Sequence, residues 1–247
     1  MKKKNLIIIH AHATNGILLK ELYEFLSNIF TVYPINLPGF VPNKKPLKNV
    51  TLPNYAAHVD SEIKKLNLKS YLLAGISLGF AITGYCKLDE RCKGIIAIAP
   101  YINTNYTKNN FQKFVFKIFA KLVTHLGIHN YVYHSFLNKM VLRFIAPKGK
   151  ADIMQKTING YAFYETSKLL FTFSDPPIFH KKPYVLIINK DDETMEAKKI
   201  IKLFKKKDNL IIKIALPHYP KNLSREFFEK NIDLEEVDKI NEFLSGK

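Results

Sequence analysis

Six short, largely apolar stretches punctuate this 247-residue chain, at residues 5–9, 31–36, 70–74, 94–99, 184–189 and 210–216. Their apolar residues run on without alternating, as a strand requires when both of its faces are covered. Helical patterns lie between them. Residues 16–29 place Ile17, Leu18, Leu22, Phe25, Leu26 and Ile29 on one face, and residues 54–66 do so with Tyr55, Val59, Ile63 and Leu66. The last pattern, about residues 233–244, carries Leu234, Val237, Ile240, Phe243 and Leu244. Strands alternating with helices predict an α/β fold: a doubly wound, mostly parallel six-stranded sheet.

The alternation breaks once. Between Ala99 and Tyr184 no strand-like pattern occurs, but Phe111, Phe114, Val115, Ile118, Phe119, Leu122, Val123 and Leu126 recur at helical steps. Lys113, Lys117 and Lys121 form a row expected on the opposite side, Gly127 is a stop, and Asp175-Pro176-Pro177 marks the return to the sheet. Residues 105–175 are expected to form an inserted helical cap, and residues 1–104 and 176–247 the core around it.

Composition narrows the function classes. Apolar residues make up 47% of the chain, which excludes a disordered protein. Two cysteines, Cys86 and Cys92, are no disulfide framework and point to buried thiols in a reducing compartment. The start "MKKKNLIIIHAHA" imitates a secretion signal, yet its uninterrupted apolar patch is only Leu6 to Ile9, so it reads as a strand and the protein as cytoplasmic. Charge is uneven: the net value is +17, and residues 91–151 hold ten Lys or Arg and no Asp or Glu. Such a field attracts polyanions or anionic lipid surfaces. Only three of the 38 basic residues are Arg, and no stacking or groove-reading motif appears, so nucleic acid is not the expected partner.

The chemistry lies in "YLLAGISLGFAITGYC", residues 71–86. Gly75-x-Ser77-x-Gly79 sits between a strand and a helix, where small residues flanking a serine let the chain reverse and expose its hydroxyl at the sheet edge. Around it the chain resembles the α/β-hydrolase family over essentially its whole length outside residues 105–175. "NLIIIHAH" resembles the strand feeding the family's oxyanion loop, and "VYPINLPGF" the next strand and its turn, with Asn36 where the family has Asp. "RCKGIIAIAP", "KKPYVLIINKDD" and "LIIKIALPHYPKNL" resemble the strands after the elbow helix, before the acid and before the histidine. The chain opens on the equivalent of the family's third strand, so the first strands are expected to be absent.

The resemblance implies a catalytic triad. Ser77 would be the nucleophile and His218, which follows the last strand, its base. Asn189-Lys190-Asp191-Asp192 supplies the acid, Asp192 when counted as Gly-x-x-Asp and Asp191 after a one-residue shift. Backbone N–H groups of Leu78 and of His12, with Ala11 as the alternative in the loop after the first strand, would form the oxyanion hole. A rival reading takes His10-x-His12 as metal ligands, but no acid follows before Glu21, so neither metal nor cofactor is expected. His58, His125, His129, His134 and His180 have no partner pattern and read first as surface or core positions; the alternative for His125, His129 and His134, which fall in the cap, is contact with substrate.

The implied function is a serine esterase or lipase-like acyl hydrolase acting on a small ester or acyl-lipid. The alternatives are amide, thioester or carbon–carbon cleavage on the same triad, or a binding protein on a hydrolase scaffold. For the cap, two readings stand. Its apolar helix face packs on the core, or it meets lipid at an anionic membrane, which would make the protein membrane-peripheral.

Overall fold

The computed structural model describes residues 3–108, 111–136, 138–139, 142, 146–205, 209–214, 218, 222–231 and 234–244. Six strands form one sheet: β1 (Lys4–Ile9), β2 (Phe30–Ile35), β3 (Tyr71–Ile76), β4 (Cys92–Ile98), β5 (Tyr184–Asn189) and β6 (Leu210–Ile214). Their order is β2-β1-β3-β4-β5-β6, and every neighbouring pair runs parallel. The apolar runs are explained by what covers them. In β1, Leu6 and Ile8 join one buried cluster while Ile7 and Ile9 join the other. Both faces of the strand therefore need apolar side chains.

Helices α1 (Lys20–Leu26), α9 (Arg225–Asn231) and α10 (Leu234–Phe243) cover the first face, through Tyr23, Phe25, Phe228 and Ile240. The second face is covered by α2 (Leu52–Leu66), α3 (Leu78–Thr83) and α8 (Ala197–Lys205), through Tyr55, Val59, Phe80, Ile200 and Phe204. The start of α2 follows from its sequence: the Thr51 hydroxyl accepts the Asn54 N–H at 3.2 Å, and Pro53 stands in the first turn.

Between β4 and β5 lie α4 (Phe111–His125), α5 (His129–His134), α6 (Ala151–Thr157) and α7 (Gly160–Thr172), preceded by one 3₁₀ turn at Thr104–Tyr106. Phe163 and Tyr164 of α7 and Tyr133 of α5 stack on one another and belong to the cluster on the second face.

Two expected elements differ in extent. Regular helix covers only Lys20–Leu26 of the 16–29 pattern. The preceding turns hang on Asn15, whose Oδ1 accepts the N–H of Ile17 and of Leu18, each at 3.0 Å. A short polar side chain that bonds its own backbone favours a turn over helix. The apolar residues of α4 do not form one packed face: Ala120 and Val123 are buried, whereas Phe114, Ile118 and Leu122 are at least half exposed.

Candidate active site

The strand order reverses at β1: the chain goes from β1 out to β2 and then crosses back to β3 on the other side of β1, which makes the carboxyl ends of β1 and β3 a topological switch point. Open parallel sheets bind ligands at such a switch point. Ser77 lies there, between the last residue of β3 and the first of α3. Its backbone has φ 48° and ψ −110°, outside the comfortable range of an L residue. Holding it so costs on the order of 1–3 kcal/mol. Four backbone hydrogen bonds hold the turn: Ser77 N–H donates to Ile98 O at 3.0 Å, and Ser77 O accepts from Phe80 N–H at 3.0 Å, Tyr101 N–H at 3.2 Å and Ala81 N–H at 3.4 Å.

The two flanking glycines are there for space. A Cβ at Gly75 would stand 2.5 Å from the Phe80 backbone, and one at Gly79 would overlap the Ile9 carbonyl oxygen. Strand β3 therefore runs directly under α3, and α3 runs directly against the end of β1. No larger residue fits at either position without moving backbone.

Ser77, His218 and Asp192 come together from the ends of three strands. His218 Nε2 lies 3.1 Å from Ser77 Oγ, and its Nδ1 lies 2.9 Å from Asp192 Oδ2. The His218 and Asp192 side chains are each 1% exposed. An ionised carboxylate only accepts, so Nδ1 carries the proton and Nε2 turns its lone pair to the serine hydroxyl. Burial raises the Asp192 carboxyl. The hydrogen bond from His218, with two backbone N–H groups, outweighs that and holds it below the usual carboxylate range. Those two donors are Thr194 and Met195, each 2.7 Å from Oδ1. Asp191 is exposed at the same turn, its own N–H donating to Asn189 Oδ1 at 2.9 Å. Pro217 and Tyr219, which flank the histidine, lie outside the described residues.

Leu78 directly follows Ser77, and His12 follows β1, the strand next to β3. Leu78 opens α3 and is fully buried; as a first-turn residue its N–H has no partner within the helix. His12 stands in the turn after β1, with Nε2 3.0 Å from Ser167 Oγ and its ring 5.0 Å from that of Phe163. Burial, then His10, push its pKa down to about 3, so the ring is neutral. His10 cannot serve as a metal ligand as it stands. Its Nδ1–H donates to Ala11 O at 2.8 Å and its Nε2 accepts from Leu37 N–H at 3.0 Å, so both ring nitrogens are used. Of the other histidines, His129 lies against Tyr161 and Glu165, His134 against Tyr133, and His125 is exposed. His58 Nε2 contacts Asn36 O and His180 Nε2 contacts Thr83 O.

Sequence reasoning missed two polar neighbours. Glu193 Oε2 accepts the His218 N–H at 3.2 Å, and Ser167 meets His12. Glu193 had a signal, its place beside Asp192. Ser167 had none, because 155 residues separate it from His12.

No protein-family model and no curated protein sequence matches this chain. Solved structures do. An esterase from Thermogutta terrifontis superposes with a TM-score of 0.64 at 14% identity, over 99% of this chain and 90% of the other. The N-acyl homoserine lactonase AidH gives 0.69 at 11%, over 98% and 90%. The chain has the α/β-hydrolase fold. The bottromycin epimerase BotH, at 0.63 and 14% identity over 91% and 87%, is similar to this chain to a comparable degree. An α/β-hydrolase fold by itself leaves the reaction open, and the site has to decide it.

Proposed function

We propose that this protein is a serine hydrolase that cleaves carboxylic esters through an acyl-serine intermediate. The supporting observation is the chain Ser77 Oγ–His218 Nε2 and His218 Nδ1–Asp192 Oδ2, at 3.1 and 2.9 Å, carried on a strained strand-to-helix turn. An esterase and a lactonase among the similar structures support the same chemistry, since a lactone is a cyclic ester.

Ser77 Oγ attacks the acyl carbon and passes its proton to His218 Nε2, while the carbonyl electron pair moves onto oxygen. Asp192 keeps the proton on Nδ1 and stabilises the imidazolium. The N–H groups of Leu78 and His12 receive the oxyanion; a missing donor of this kind costs about 10²–10³ in rate. Collapse of the tetrahedral adduct expels the alkoxide, which takes the proton from Nε2 and leaves as alcohol. Water then gives a proton to Nε2 and attacks the acyl carbon, and the second collapse returns the proton to Ser77 with release of the acid. No metal or cofactor enters these steps.

A p-nitrophenyl ester series of increasing acyl length tests the proposal. The wild type is expected to hydrolyse at least one member with a kcat that is lost in Ser77→Ala. Turnover of every ester at the background rate by well-folded protein overturns it, and cleavage of amides or thioesters in preference moves the reading to those substrates.

A further inference from the structure

Helix α4 sorts its residues into three sectors around the 3.6-residue turn. Ala120 and Val123 are buried, and Phe116 between them stacks on Phe163 and Phe171 at 6.4 and 5.8 Å, which holds the helix against α7. Lys117 and Lys121 occupy the next sector, and no ion pair among the described residues involves either. The third sector carries Phe114, Val115, Ile118, Phe119 and Leu122, which are 41–60% exposed. A helix that only packs on its own core turns polar residues outward. Five large apolar side chains over two to three outward turns instead form a contiguous patch, the mark of an interaction surface.

We propose that this face of α4 lies in the headgroup plane of an anionic lipid bilayer, with its apolar residues inserted and Lys117 and Lys121 at the phosphates. Charge selects this occupant. Residues 91–151 hold ten basic side chains and no acidic one, within a chain of net charge +17. A second copy of the chain would meet the patch about a two-fold axis and bring the same lysines face to face. A bilayer with anionic headgroups satisfies both the apolar sector and the lysines beside it, as interfacial amphipathic helices do. The contact is peripheral, because no helix among the described residues is long and apolar enough to cross a membrane.

The test is co-sedimentation with vesicles of phosphatidylcholine alone and of phosphatidylcholine mixed with phosphatidylglycerol. The protein is expected to sediment with the mixed vesicles, to stay in solution with phosphatidylcholine alone, and to come off as salt rises. Ile118→Asp with Leu122→Asp is expected to abolish sedimentation. Lys117→Gln and Lys121→Gln are each expected to weaken it by about fivefold. The aspartate variants are checked by thermal unfolding; if they do not fold, the lysine variants give the same reading. Ser77→Ala is expected to sediment as wild type, so docking and ester hydrolysis fail separately. No binding to the mixed vesicles overturns the proposal, as does undiminished binding of the folded variants. So does a lipid-free dimer that Leu122→Asp converts to monomer, which would assign the face to a second copy.

Discussion

The turn after β3 and the helix α4 place similar residue types under opposite constraints. At the turn, the surroundings dictate every residue: Gly75 and Gly79 each lie where a Cβ would strike backbone, and Ser77 is held at φ 48° by hydrogen bonds from β4 and α3. In the helical insertion, Gly127 and Gly149 have nothing within 4 Å of a Cβ and are needed only for φ of +68° and +74°. The turn serves precision, which a site held on strand ends requires. The segment between β4 and β5 instead leaves large apolar side chains of α4 exposed, Phe114, Ile118 and Leu122 among them.

The largest expected effect is at the turn. Ser77→Ala should lower ester hydrolysis by on the order of a thousandfold or more while leaving the fold intact. Equal turnover by the variant would break the comparison at its centre. Next, Gly79→Ala should unfold the protein or cost about 4 kcal/mol or more, because the new Cβ meets the Ile9 carbonyl. Gly149→Ala should cost only the left-handed strain, about 1–2 kcal/mol. Similar losses at both positions, by chemical denaturation, would show the turn to be no tighter than a surface loop.

Acid sharpens the same contrast. Burial holds the His10 pKa down at about 4, against 6.5 for a free imidazole. The unfolded chain then binds more protons below pH 6.5, so stability is full above that value and falls as pH drops towards 4, by up to about 1.4 kcal/mol per unit. His10→Asn should make that limb shallower by the His10 share and leave the share of His12, which burial holds down to about 3; an unchanged slope would contradict the buried neutral ring. Asp192, held below its ordinary range, adds its own loss only at still lower pH. The smallest effect lies on the outward side of α4. Val123→Ala, facing inward, should cost about 2 kcal/mol and Leu122→Ala, facing outward, under about 0.5 kcal/mol.

What was legible from the residues follows the same division. The six strands could be read because a parallel sheet covered on both faces leaves continuous apolar runs, as in Leu6 to Ile9. Gly75-x-Ser77-x-Gly79 could be read because few turns need small residues on both sides of a serine. Spacing counted as Gly-x-x-Asp points to Asp192 but leaves Asp191 open to a one-residue shift, since the choice depends on which carboxylate faces His218 across 26 residues of chain. Nor did periodicity show how α4 divides its apolar residues. A 3.6-residue repeat marks an apolar side but not which part of a broad one meets the core.

The central claim is that Ser77 is an activated nucleophile. A fluorophosphonate probe reads this without assuming a substrate, by intact mass and peptide mapping, with Ser77→Ala alongside. A single adduct on Ser77, absent from the variant, is the predicted result. Folded protein that takes up no probe, or takes it elsewhere, would contradict the assignment and leave the α/β-hydrolase fold serving another role.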